Sequence, residues 1–244
     1  DTGIKTSESF ADTPFAVVQR KHQSYDTTEF SIEHPAMVAP MQRFVTIRDE
    51  QKSFTLMVKG LPEYELKLDQ PGVLALTLLR CVGRLSGRDL ITRPGGAAGW
   101  WNETPDAQCQ GKHAFEYSVL PGSTQDASDW SSILKEVELF TVPPLAVNRK
   151  NDQSVLEQGF VSIAPDSLTL SALKVADEKE GIVLRLSNPV DRTVEGTVHF
   201  ETSVKEAFRA KMNEEIIEAI VVRNGHDVHL TVKPYEVVTM FIRI

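Results

Sequence analysis

The side chains best suited to chemistry in this chain gather between residues 80 and 101. Arg80, Arg84, Arg88 and Arg93 bring four guanidinium groups into one stretch, with Asp89 among them and Trp100 and Trp101 just beyond. A guanidinium is a planar, permanently charged fork of donors that meets carboxylates, phosphates and sugar hydroxyls through paired hydrogen bonds. An indole offers a flat apolar face to a sugar ring. Gly95, Gly96 and Gly99 let the backbone approach a neighbour closely or take positive φ. The same residues also suit a purely structural device, with Arg–Asp pairs pinning a long loop and Trp side chains plugging the end of a sandwich. Long loops in compact domains tend to carry function, and at this level both readings stand.

Other constellations are weaker. Glu63 and Glu65 share a strand face, as two glycosidase carboxylates would, but Glu-x-Glu is common on exposed strands. His226 and His229 form an HxxH around Gly225; on a strand an offset of three sends the side chains to opposite faces, so joint metal binding would need a special turn. Glu214–Glu215 reads as a solvated turn. The chain carries no GxSxG, HExxH, P-loop or pre-helical GxGxxG, and no Cys/His group with zinc-site spacing. Its two cysteines do not make a disulfide framework. Cys81, inside an apolar run, is expected to be a buried free thiol, and Cys109 falls in the loop.

The elements that must position these residues read as β-structure. QRFVTIRD, SFTLMVKG and EYELKLD alternate with period two, separated by turn residues such as Gly60 and Pro62. VLALTLLRCVG (73–83) is apolar almost throughout, as expected of a strand buried on both faces, and it runs directly into the loop 84–111. KHAFEYSVLPG follows, closed by Pro121-Gly122. SDWSSILKEVELF changes period: Ser128 or Asp129 suits an N-cap, and Ile133, Val137 and Phe140 fall on one helical face, so a short helix is expected near 128–140. Residues 1–40 are weakly patterned and read as loop or edge strands. The polar stretch 148–158 is the candidate boundary between 1–150 and 151–244. Beyond it come GFVSIA, LTLSALKVAD, GIVLRLSN, TVEGTVHFE, HDVHLTVKP and EVVTMFIRI at short, regular spacing. KEAFRAKMNEEIIEAIVV has helical propensity but is read as strand, turn and strand.

The composition excludes several classes. The chain has 244 residues, 41% of them apolar, enough to bury one large core or two modest ones. Its formal net charge is −8, without basic clusters, which argues against nucleic acid and anionic membrane as partners. No apolar run approaches the roughly 18 residues of a transmembrane helix. The polar start, DTGIKTSESF, lacks both a signal-like apolar region and an initiator Met, and is expected to be a cut within a longer protein. The default setting is cytoplasmic and reducing.

An ordered series of strings carries a family resemblance: LPEYEL (61–66), LALTLLRCVGRLSGRDLITRPG (74–95), ETPDAQCQGKHAFEYSVLP (103–121), SLTLSALKVADEKEGIVLRLSNP (167–189) and the closing PYEVVTMFIRI. Together they resemble the C-terminal half of bacterial α-mannosidases of glycoside hydrolase family 38. The resemblance implies an all-β fold: a larger, galactose-mutarotase-like supersandwich region over 1–150 with the long loop 84–111, then a smaller immunoglobulin-like sandwich over 151–244. It implies retaining hydrolysis of α-mannosides, with zinc and an Asp nucleophile in an N-terminal catalytic domain. The Gly-His-x-Asp metal motif of that domain does not occur here. No cofactor is therefore expected in this chain, no catalytic residue is assigned to it, and the fragment alone is expected to be inactive. Its partners would be its own N-terminal catalytic domain, the α-mannoside substrate and, through the surface left by that domain, a second copy. In eukaryotic relatives the matching loop carries Asp-Asp-x-Arg-Gly, whose Arg reaches the active site. Asp89 and Arg93 match the second acid and that Arg; Arg88 stands where the first acid would be, and the spacing to Arg93 is longer. Arg93, Asp89 and Arg88 are thus the candidate substrate-binding residues. Some bacterial members act on mannosylglycerate or its 6-phosphate, which the extra Arg88 would suit. A stand-alone module binding carbohydrate or protein through Trp100 and Trp101 is the competing class.

Overall fold

The computed structural model describes residues 2–124, 130–146 and 159–244. They divide into two compact units: Asp1–Thr13 with Val18–Gln125, and Pro14–Val17 with Asp126–Ile244. The boundary expected at 148–158 lies outside the described residues.

The first unit carries ten strands: β1 (Glu8–Thr13), β2 (Ala16–Lys21), β3 (Ala39–Pro40), β4 (Phe44–Arg48), β5 (Lys52–Val58), β6 (Glu63–Lys67), β7 (Val73–Leu76), β8 (Arg84–Leu85), β9 (Asn102–Glu103) and β10 (Tyr117–Ser123). Five of them form one sheet in the order β10-β5-β4-β1-β2, three form a second, β3-β6-β7, and β8 and β9 make a separate two-stranded ribbon. The alternation read in the sequence explains the packing. Val45, Leu56 and Val58 meet Ala39, Leu61 and Tyr64 in one buried cluster, and Ile4, Ile47 and Leu66 form a second. Where β4 buries polar atoms, they are matched across the ladder: Thr46 faces Thr55, and their hydroxyl oxygens lie 2.7 Å apart. The buried carboxylate of Asp12 accepts from Arg43 Nε at 2.7 Å and Nη2 at 3.3 Å.

The second unit holds the helix α1 (Ser131–Thr141) and strands β11 (Val161–Ala164), β12 (Thr169–Val175), β13 (Ile182–Ser187), β14 (Val194–Phe200), β15 (Glu206–Ala210), β16 (Ile216–Ile220), β17 (Val222–Arg223), β18 (Asp227–Val232) and β19 (Val237–Arg243). A four-stranded sheet, β11-β14-β18-β17, faces a five-stranded one, β12-β13-β19-β15-β16. Leu184, Leu186, Val238, Met240 and Ile242 of the larger sheet meet Val194, Val198, Phe200, Val228 and Val232 of the smaller one in a single core. The intervening residues Val183 and Phe241 point the other way and are buried with Ala176 and Ala210. A strand covered on both faces reads as continuous apolar sequence, which is why IVLRL and VVTMFI do. At Gly181 a Cβ would lie 2.7 Å from Phe241 Cζ, so this turn needs a residue without a side chain. KEAFRAKMNEEIIEAIVV forms β15, a turn and β16, as read; tertiary pairing overrides its helical propensity.

Four local expectations are corrected. First, VLALTLLRCVG is a strand only over Val73–Leu76; residues 77–83 extend beyond it, and Leu78, Leu79 and Val82 are exposed. β7 is the edge of its sheet and pairs only with β6; Leu74 and Leu76 pack on the core of this unit, and the run loses that cover beyond Leu76. Second, Cys81 is accordingly exposed rather than buried; both cysteines are free. Third, Pro121-Gly122 does not end β10, which runs through to Ser123. It tolerates proline because β10 is an edge strand of its sheet. Fourth, α1 has Trp130 at its N-cap, at φ 66°, with no side-chain cap bond; Ser128 and Asp129 lie outside the described residues. Ile133 and Val137 are buried with Leu134 as the period predicts, whereas Phe140 is half-exposed.

Candidate functional site

The loop beyond β7 is a braced ribbon. Its stem is β8 against β9, with Arg84 opposite Glu103 and Leu85 opposite Asn102. Thr104 closes the base: its N–H donates to Gly83 O at 3.0 Å and its hydroxyl to Val82 O at 3.1 Å. The tip is zipped to residues 32–34 by two backbone bonds, His34 N–H to Thr92 O (2.8 Å) and Gly95 N–H to Ile32 O (3.0 Å). Gly95 is required there, because a Cβ would sit 2.7 Å from Ile32 Cα. Gly96, at φ 96°, completes a turn in which its N–H donates to Arg93 O.

The four arginines have different fates. Both carboxylate oxygens of Asp89 accept from Arg84 Nη2, at 2.7 and 2.5 Å, and the same guanidinium lies 5.0 Å from the centroid of the Trp101 ring. Asp89 therefore orients Arg84 rather than Arg93. Arg93 Nε donates to Gly96 O at 2.8 Å and Nη1 donates to Glu33, which fixes the side chain across the zipped tip. Arg80 Nη1 lies 3.3 Å from Glu63. Arg88 is exposed and makes no ion pair among the described residues. The two tryptophans also separate: Trp101 backs Arg84, while Trp100 is 92% exposed, and with Ile91 at 89% it makes the loop surface apolar.

The weaker constellations resolve as local structure. Glu63 accepts from Thr77 Oγ1 at 2.9 Å, and Glu65 pairs with Lys67 at 3.0 Å, so each carboxylate is held by its own neighbour. His226 Nδ1 lies 2.8 Å from Phe200 O and His229 Nδ1 3.0 Å from Thr197 Oγ1. His199 Nδ1 lies 2.7 Å from Asp227, and this contact, outweighing the opposing effect of burial, holds the Asp227 carboxyl below its ordinary range. Among the described residues no three His, Cys, Asp or Glu side chains converge in a way that would hold a metal ion. Glu214, expected to be a solvated turn, is instead buried at φ 67°. It accepts from the Asp177 N–H at 2.8 Å and pairs with Lys174 at 2.5 Å, and the Lys174 contact is the main cause of its lowered pKa. Its sequence signal was faint because the acid beside it, Glu215, makes an ordinary surface pair with Lys211. No helix among the described residues is long and apolar enough to cross a membrane.

Comparison with known proteins supplies the context for this loop. Residues 167–240 match the model of the glycosyl hydrolases family 38 C-terminal beta sandwich domain. A Halalkalibacterium halodurans protein named "Putative mannosylglycerate hydrolase" is 28% identical over 235 residues, covering 95% of this chain and 23% of its own length. An α-mannosidase from Enterococcus faecalis V583 superposes over 100% of this chain and 25% of its own, at TM-score 0.75 and 26% identity. A second Enterococcus faecalis protein, of glycosyl hydrolase family 38, shares the fold over 100% of this chain and 26% of its own, at TM-score 0.73 and 23% identity. The chain thus spans about a quarter of the length of each of these relatives. Over 167–240 the chain matches by sequence the C-terminal beta sandwich domain of glycosyl hydrolases family 38, and over its whole length it shares the fold of the Enterococcus α-mannosidase.

Proposed function

We propose that this chain is the non-catalytic C-terminal half of an α-mannosidase-type retaining glycoside hydrolase in the cytoplasm. It packs on a zinc-bearing catalytic domain and delivers the loop 84–111 to that domain's site. The observation that carries the reading is the loop itself: a tip braced at Gly95 and Arg93 that nevertheless presents Ile91 and Trp100 almost fully exposed. Bracing an apolar surface makes sense when that surface meets a partner. The quarter-length coverage of the relatives supports the same view. Zinc would be held by residues outside this chain, where it would supply Lewis-acid chemistry. In this chain Arg93 has Nε and Nη1 engaged, which leaves Nη2 to donate to a sugar hydroxyl; Arg88 adds a second charge, and Asp89 acts indirectly by holding Arg84. An anionic glycoside such as mannosylglycerate or its 6-phosphate is the alternative substrate, supported by the exposed Arg88 and by the name of the Halalkalibacterium relative.

The test has two arms. Purified 1–244 with zinc and an aryl α-mannoside should give no turnover, and robust hydrolysis would overturn the division of labour. Joined to the preceding three quarters of a family 38 relative, the chain should support turnover. Arg93→Ala should then lower kcat/KM by about 2–3 kcal/mol, on the order of 30- to 150-fold; an unchanged kcat/KM at unchanged Tm would remove Arg93 from the site. Saturable binding of mannose to the isolated chain, lost in Trp100→Ala, would favour the stand-alone module instead.

A further inference from the structure

A cleft lined by none of the loop residues lies in the first unit between the end of β2 and the segment 36–40. It has a volume of about 340 Å³, within the range of small-molecule sites. Arg20, Lys21, His22, Gln23 and Tyr25 form one wall, and the other is the largely apolar run Ala36–Pro40. No acidic residue lines it. Lys21 is spoken for in part, at 3.7 Å from Glu8.

Arg20 is the anomaly. Its Nη1 is buried and has no hydrogen-bond partner. A buried donor of a charged group left unsatisfied is costly, and native structures rarely keep one without a reason. Beside it, His22 is held by a chain of hydroxyls: His22 Nε2 lies 2.7 Å from Ser9 Oγ, and Ser9 Oγ lies 2.7 Å from the hydroxyl of the fully buried Tyr64. Tyr64 is opposite Ala39 across the β3–β6 pairing, so this chain reaches the strand that bears the apolar wall. Proton accounting orients it. If His22 Nε2 donated to Ser9, and Ser9 to Tyr64, the buried Tyr64 proton would lack an acceptor. With Tyr64 donating to Ser9 and Ser9 donating to His22 Nε2, every group is satisfied and the ring proton sits on Nδ1. Burial, and secondarily the charge of Arg20, lower the His22 pKa, in keeping with a neutral ring that keeps this one donor. The cleft thus combines a guanidinium with an unmet donor, an imidazole held by a hydroxyl chain and a largely apolar second wall, with no carboxylate among its lining residues.

The geometry points to an anion site in this cleft for a small oxyanion, a carboxylate or a phosphate, anchored on Arg20 with His22 as the neighbouring donor. Binding requires no movement of the sheet: Ser9 and Tyr64 already hold His22, and only the Arg20 side chain must turn to bring its buried Nη1 to the anion. The site is independent of the mannoside reading, since it uses none of the loop residues.

The experiment is an NMR titration of 1–244 with inorganic phosphate and, separately, with sodium acetate, ionic strength being held constant with sodium chloride. Saturable shifts of the His22 ring and Arg20 Nε resonances are expected with at least one anion. Saturation by phosphate alone identifies a phosphate site, and saturation by acetate identifies a site that takes a carboxylate. Arg20→Gln should weaken the saturable response about tenfold or more, as loss of a charge-assisted bond requires. Val38→Asp offers a second variant: a carboxylate on the apolar wall should compete with the added anion and suppress the response while leaving the far-UV spectrum unchanged. Linear, unsaturable shifts with both anions, or equal saturation in both variants, would overturn the site.

Discussion

Two apolar strings in this chain have nearly the same composition and opposite fates. IVLRLS becomes β13, hydrogen-bonded to β12 on one side and β19 on the other, with Val183 buried on one face and Leu184 and Leu186 on the opposite one. VLALTLLRCVG becomes a four-residue edge strand and an exposed extension that carries Leu78, Leu79 and Val82 to the surface. Hydrophobicity records that a stretch is meant to be covered; it does not record by what. In the second unit the cover is another sheet of the same unit. In the first, the apolar extension leads into a ribbon whose own braces are backbone bonds and arginine contacts rather than a core.

That contrast can be broken most forcefully at Phe241. Phe241→Ala should destabilise the second unit by about 3–5 kcal/mol, read from urea unfolding, because the ring is fully buried against Val183, Ala176 and Ala210. A loss under about 1 kcal/mol would mean that this face of the sheet is less consolidated than the burial implies. In the ribbon the sensitive position should be a backbone one. Gly95→Ala forces a Cβ onto Ile32 and should unzip the tip from 32–34 at a cost of about 1–3 kcal/mol, the range for overpacking. Limited proteolysis should then cut within 90–100 before any other described segment. If the ribbon survives intact, the zipper is not what holds it.

A smaller effect separates the polar anchors. The Glu214 carboxyl has a lowered pKa in the folded chain, chiefly through Lys174, so the unfolded chain binds the proton more readily. Its contribution is fully present above its ordinary pKa of 4.5 and is lost as pH falls through the lower folded value. Lys174→Met should therefore reduce the acid sensitivity of the second unit in that window, seen as a shallower fall of Tm with pH; an unchanged slope would assign the sensitivity to other carboxylates. Trp100→Ala should be the mildest change, within about 0.5 kcal/mol, because the side chain is 92% exposed. A larger loss would show that the indole is packed in solution and that the ribbon surface is not free.

The β-strands of the second unit were legible because each shows its burial in its own sequence: alternation in VEGTVHF, continuity in VVTMFI. The ladder of β15 and β16 was legible for a different reason, since a sandwich needs those positions filled and only long-range pairing opposes the helical propensity of EEIIEAIVV. The loop was legible as a loop, and its Arg, Asp and Trp residues were found, but not their partners. Nothing in the spacing of Arg84, Asp89 and Arg93 says that Asp89 closes on the first and Glu33 on the last. Glu33 is sixty residues away in sequence and beside Arg93 only because Ile32–His34 zips to Thr92–Gly95. Arg20 and His22 escaped the sequence reading altogether, for they lie in a weakly patterned segment and owe their character to Tyr64, forty-two residues beyond His22.

By itself, then, the sequence determined the class of element at most positions, the absence of the known catalytic strings, and the clustering of cationic and aromatic side chains in one long loop. Those are local properties, set by periodicity and by residue chemistry. Tertiary structure decided which apolar run is covered, which carboxylate each arginine holds, and which buried donor is left unmet. Each of those depends on register and packing between segments far apart in the chain, and pairwise contacts at that separation leave no periodic trace in the residues that make them.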